Sequence, residues 1–147
     1  MEPTTLTTLA GSLMSLFGLL VSLFSIHLGN WLSKLQALKT KWDINNGSDP
    51  KEVALRRECR YGFIELYNWQ PFVMTGIIAG FGLAVLYFFN DVRTARNVVF
   101  PSIFVALYFG FFIIMIALQL VLLVTGWRVG ETMKAELHKA YPPRPKP

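Results

Sequence analysis

The chain has 147 residues, of which 53% are hydrophobic, 14% aromatic and only 16% charged, with a net charge of +5 and a mean hydropathy of +0.43. Such a chain has too little polar surface to coat a core, which excludes an ordinary soluble domain. Its 14 basic and 9 acidic residues also leave three long gaps: no Asp, Glu, Lys or Arg occurs for 31 residues after Glu2, for 25 after Glu65, or for 31 after Arg96. About 20 apolar residues suffice to cross a bilayer as a helix. The sequence therefore predicts an all-α, multi-pass integral membrane protein with three transmembrane helices.

The first segment, residues 1–33, holds a span from about Leu6 to Leu32. It has no basic leader and no Ala-x-Ala site, and it is longer than a signal-peptide core, so it is expected to be a retained span and not a cleaved signal. Its small and hydroxyl residues recur as Thr4, Thr8, Gly11, Ser15, Gly18, Ser22, Ser25 and Gly29, at alternating spacings of four and three. In lipid, apolar burial does not drive helices together, and close approach across small residues supplies much of the association. A 3.5-residue period further predicts a left-handed crossing with a long partner helix.

Residues 34–71 form a basic loop. The helix is expected to continue past Lys34 and stop near Trp42, before a turn at Asn45-Asn46-Gly47-Ser48. A second helix, over about 50–68, then starts at Asp49-Pro50-Lys51-Glu52: Asp caps, Pro sits in the first turn, and Glu52 reaches back. This helix reads as amphipathic, with Leu55, Cys59, Phe63 and Leu66 near one face and Arg56, Arg57 and Arg60 flanking it. Such a helix can lie at lipid headgroups or against a partner's soluble domain.

Residues 72–124 are expected to be an antiparallel hairpin of two spans, 72–89 and 98–124, with Pro71 marking the start of the first. Gly76 and Gly80 form a GxxxG extended by Gly82, and Ser102, Ala106 and Gly110 form a facing stripe continued by Ala117. These stripes predict that the second and third spans pack together and leave the first separate or more loosely attached. The tail, 125–147, is expected to hold a short helix over Glu131–Tyr141 and a Pro-rich, polyproline-II end, Pro142-Pro143-Arg144-Pro145-Lys146-Pro147.

Orientation follows from the cations. Three spans put the loop 34–71 and the tail on one side, with twelve Lys and Arg, against Arg93 and Arg96 opposite. By the positive-inside rule the N-terminus faces outward and the C-terminus inward. Trp31, Trp69 and Trp127 stand at the three span ends on the basic side, where indole rings favour the headgroup level. With Arg56, Arg57 and Arg60 they form the expected lipid-headgroup set. A single cysteine, Cys59, precludes an intrachain disulfide.

A search for chemistry finds no catalytic triad, HExxH, CxxC or Walker A motif. The three arginines are too few and too mixed with acids for a nucleic-acid surface. His27 is the one intramembrane residue of its kind, and haem ligation would require a second axial residue; the other histidine, His138, lies in the tail. His27, Thr75 and Gln119 are instead expected to form a buried polar cluster that fixes helix register. No metal, cofactor or catalytic residue is expected, although a bound phospholipid is compatible with the basic face. The expected function is that of a non-catalytic accessory subunit of a larger membrane complex, with other membrane subunits and anionic lipids as partners. The alternative is a homo-oligomeric small pore, lined by the hydroxyls of the first span, or a membrane-perturbing protein. A bacterial or mitochondrial inner membrane suits such spans equally.

Overall fold

The computed structural model describes residues 3–45, 47–96 and 102–142. Among these the chain is helical, with no strand: α1 is Pro3–Ile44, α2 Pro50–Leu66, α3 Gln70–Arg96 and α4 Ser102–Ala140. Three stretches, within Gly11–Ile44, Pro50–Asp91 and Ala106–Ala140, carry helices long and apolar enough to cross a membrane. At 1.5 Å per residue the 42 residues of α1 extend to about 63 Å, well beyond the hydrocarbon thickness of a bilayer.

Local signals explain most helix ends. Gly47 turns the chain between α1 and α2 with φ at +77°, a left-handed conformation that favours glycine. Pro50 occupies the first turn of α2, as expected, but the capping differs from the expectation. The Asp49 side chain makes no capping bond, and Glu52 Oε2 accepts the Ser48 amide at 2.9 Å, one residue further back. Asn68 Oδ1 accepts the Gln70 amide at 3.0 Å as α3 begins, with Pro71 in its first turn. The short helix expected over 131–141 is the last part of an unbroken α4. No proline interrupts residues 102–140, and the glycines near the junction, Gly126 and Gly130, are packed against rings. The Pro-rich end from 143 onward lies outside the described residues, as do the side chains of Ser102, Arg93 and Arg96.

The chain divides into two compact units, and α1 and α4 each contribute to both. The first comprises Met1–Ile26 and Pro71–Leu120. Its core is Phe17 and Val21 of α1, Val85 and Phe89 of α3, and Tyr108 and Phe112 of α4. The Phe17 ring lies 5.7 Å from that of Tyr108 and 5.8 Å from that of Phe112, in tilted contacts of the kind aromatic quadrupoles favour. The expectation that α1 stands apart from a hairpin of α3 and α4 is thus corrected: its rings sit in the common core.

Glycine positions give the physical reason. A Cβ added to Gly82 would come within 2.7 Å of Phe17 Cε2 and still closer to the Phe112 ring, so α3 admits these two rings only because Gly82 has no side chain. A Cβ at Gly11, Gly18, Gly76, Gly80 or Gly110 meets nothing within 4 Å. Of the stripes expected to join α3 to α4, Gly76, Gly80 and Gly110 are therefore open among the described residues, whereas Gly82 takes the Phe112 ring of α4. Along α1 the buried residues are Phe17, Val21, Phe24, Leu28, Trp31, Leu35 and Trp42. This is a second seam of period 3.5, displaced from the small-residue stripe by one residue, or about 100° around the helix. Large side chains, with more surface to pack, occupy the interior, and the small ones flank it.

The second unit comprises His27–Gln70 and Val121–Pro147. Trp31 is only 5% exposed, and its indole N–H donates to the Leu66 carbonyl at 2.9 Å. Its ring lies against Gly126, and the Tyr67 ring lies against Gly130; an added Cβ would overlap either ring. Leu123 and Met133 extend this buried face of α4, at the same alternating spacings of three and four. From α2, Cys59 and Phe63 are buried, whereas Leu55, expected on the same face, is exposed.

Candidate functional site

The second unit brings the basic residues of α2 together with aromatic rings from α1, α4 and the α2–α3 junction. Arg56 is held twice: its guanidinium carbon lies 4.6 Å from the Trp42 ring centroid, and its Nε donates to the Asn45 carbonyl. Arg60 stacks in the same way on Tyr141, at 5.0 Å. A guanidinium uses its face in such contacts and keeps its N–H groups in plane for other acceptors. Arg57 is exposed. Lys39 binds Asp43 at 3.1 Å and Glu136 at 3.2 Å, tying α1 to α4 within this unit.

Tyr67 closes one end of this arrangement. Its ring stacks on Phe63 with centroids 5.1 Å apart, and its hydroxyl donates to Glu131 Oε1 at 2.9 Å. Burial, and after it the bond to Glu131, pushes the phenol up to about 12, so Tyr67 is a neutral donor at physiological pH. Lys134 approaches Glu131 at 3.7 Å, and His138 Nδ1 lies 3.1 Å from the Lys134 carbonyl. Cys59 lies deeper. Burial dominates its environment and raises its thiol pKa, with Lys41 opposing and Glu58 reinforcing the shift.

Between α2, the α2–α3 junction and the end of α4 a groove of about 530 Å³ opens. Arg60, Lys134 and His138 supply its polar wall, and Tyr67, Trp69 and Tyr141 its aromatic one.

The expected site residues are distributed as follows. Of the headgroup set, Arg60 and Trp69 line the groove, Trp69 being 74% exposed. Trp127 is also solvent-accessible at 46%. Trp31 is buried and hydrogen-bonded inside the unit, and Arg56 is half-buried, with its face on Trp42 and its Nε on the Asn45 carbonyl. Of the expected polar cluster, Thr75 and Gln119 are buried and His27 is not. Thr75 is buried but donates to the Pro71 carbonyl of its own helix at 2.9 Å. Gln119 is wholly buried, with Nε2 3.5 Å from Ser25 Oγ, and its Oε1 has no partner among the described residues. His27 is exposed.

Of the packing stripe, Ser15 and Ser22 are exposed; Ser22 donates to the Gly18 carbonyl and Ser25 to the Val21 carbonyl, each at 2.8 Å. Gly29 is open like the other stripe glycines, and Ala106 is exposed. Gly126 and Gly130 were missed by sequence reasoning, although they too form a GxxxG. The large-residue seam of α1 was legible in the same way, as a 3.5-residue period in Phe, Val, Leu and Trp.

Three helices long and apolar enough to cross a bilayer suggest a membrane protein. No protein-family model matches the sequence, no curated protein matches it, and no solved structure matches its fold.

Proposed function

We propose that this protein is a non-catalytic accessory subunit of a larger integral membrane complex, seated by small-residue helix faces and binding anionic lipid on its inner side. One observation carries the reading. A side-chain carbon added at Gly11, Gly18 or Gly29 of α1, Gly76 or Gly80 of α3, or Gly110 of α4 would meet nothing within 4 Å among the described residues, while the chain's own packing uses Gly82, Gly126 and Gly130. Faces of small residues left open after a chain has packed its own core are the faces on which further helices approach closely in lipid. The cation asymmetry supports an inward C-terminus, where anionic headgroups concentrate.

Native mass measurement after mild solubilisation tests this. A heteromeric assembly that loses the protein on Gly18→Leu plus Gly76→Leu is the expected result. Release solely as free monomer would overturn the reading, and a symmetric self-assembly would replace it with the homo-oligomeric one.

A further inference from the structure

The lipid-binding part of the proposed function names a chemistry but no site, and the groove in the second unit supplies one. Its polar wall is cationic, and among the described residues that line it none is acidic. Arg60 is fixed by its face on Tyr141, which leaves its in-plane N–H groups for an acceptor. Lys134 pairs with Glu131 only loosely, at 3.7 Å and in an exposed position, and an ammonium has three donors. The carbonyl of Lys134 can only accept, so His138 carries its hydrogen on Nδ1 in that contact and keeps Nε2 as a second polar atom.

Depth and size agree with this chemistry. Trp69 stands three residues before Phe72, at the start of the apolar run of α3, and Lys134 lies six residues past Arg128, which ends the uncharged run of α4. Six helical residues rise about 9 Å, just beyond the roughly 5–8 Å headgroup layer that flanks a hydrocarbon core, a depth from which a flexible lysine side chain reaches back to the phosphates. A groove of about 530 Å³ is of the size that small ligands occupy. Ile64 and Leu137 in its wall offer apolar surface along which an acyl chain can leave.

We propose that this groove binds the phosphate of an anionic glycerophospholipid headgroup, with Arg60 and Lys134 as its cationic ligands and Trp69 and Tyr141 as its walls. The site rests on the lipid-binding part of the function above and commits it to two side chains, to the exclusion of Arg57.

The test uses the full chain in phosphatidylcholine nanodiscs containing a minority of phosphatidylglycerol, transferred to mild detergent, with retained lipid counted by native mass spectrometry. Phosphatidylglycerol should be retained selectively, and Arg60→Gln with Lys134→Gln should weaken retention by about 25-fold, at roughly fivefold per cation. Arg60→Lys should restore most of it, and Arg57→Gln, outside the groove, should leave retention near that of the parent. Protection of Cys59 from maleimide in every variant verifies that the unit remains folded. If the double variant retains phosphatidylglycerol as the parent does, or if Arg57→Gln is equally damaging, the groove is not the site, although lipid binding by the basic face survives. If the parent retains no phosphatidylglycerol above phosphatidylcholine, the lipid-binding part of the proposed function fails as well. Free glycerol phosphate should not displace the lipid; displacement that depends on Arg60 and Lys134 would assign the site to a soluble phosphate ligand and overturn the lipid.

Discussion

Gly82 and Gly80 stand two residues apart on one helix, and replacing each in turn by alanine separates internal packing from open surface. At Gly82 the new carbon would lie 2.7 Å from Phe17 Cε2. Carbon atoms are best separated by about 3.5–4.0 Å, so the rings must yield by about 1 Å. Both rings belong to the buried cluster with Val21, Val85, Phe89 and Tyr108, which leaves little slack. Overpacking of this kind costs about 1–3 kcal/mol. At Gly80 the new carbon meets nothing within 4 Å. Both variants share the helical advantage of alanine over glycine, about 1 kcal/mol in water, so their difference isolates the ring contact. A difference of about 2 kcal/mol corresponds to roughly 30-fold in the folded-to-unfolded ratio. Unfolding of the monomer in mixed micelles, titrated with dodecyl sulfate, reads it directly. Phe112→Leu in the Gly82→Ala background should recover part of the loss, because the two sites are in contact and couple. A Gly80→Ala or Gly76→Ala variant less stable than Gly82→Ala would refute the assignment of internal and external glycine faces.

Three further outcomes follow from the same contacts. Trp31→Phe keeps a ring against Gly126 but removes the donor to the Leu66 carbonyl, and should cost about 1 kcal/mol in the same titration. Gln119→Leu removes a buried amide whose Oε1 has no partner among the described residues, so it should leave stability unchanged or raise it by about 1 kcal/mol; a loss larger than the single long Ser25 contact explains would mean that Oε1 is satisfied. The phenol of Tyr67 is raised from 10.0 to about 12 in the folded chain, so its contribution to stability is complete below pH 10 and is lost as pH rises through about 12. Spectrophotometric titration should show late tyrosine ionisation, and Tyr67→Phe should lower its amplitude by one tyrosine.

The membrane class was readable from the order of residues alone, because charge is excluded from hydrocarbon at a cost that no local conformation relieves. Helix starts were nearly as legible: proline and Asx residues act through bonds a few residues long, and even the shift of the Glu52 contact to the Ser48 amide moves the expected cap by one residue. Packing was a different matter. Periodicity revealed the small-residue stripe of α1, yet a seam of Phe17, Val21, Phe24, Leu28 and Trp31 runs beside it with the same period. Period alone does not choose between two seams one residue apart. The polar residues show the same division: type and position suggested a cluster, but Thr75 turned to its own helix and Gln119 met Ser25.

By itself, then, the sequence determined three apolar helices, their charge asymmetry and where the breaks between them fall. The tertiary structure decided which glycines are covered, that Trp31 faces inward to a carbonyl, and that Arg60 and Lys134, 74 residues apart in the chain, border one groove. Apolar runs and breaks are set by each residue's own solvation and backbone preference, whereas coverage and convergence depend on which side chains from distant helices fit the same space.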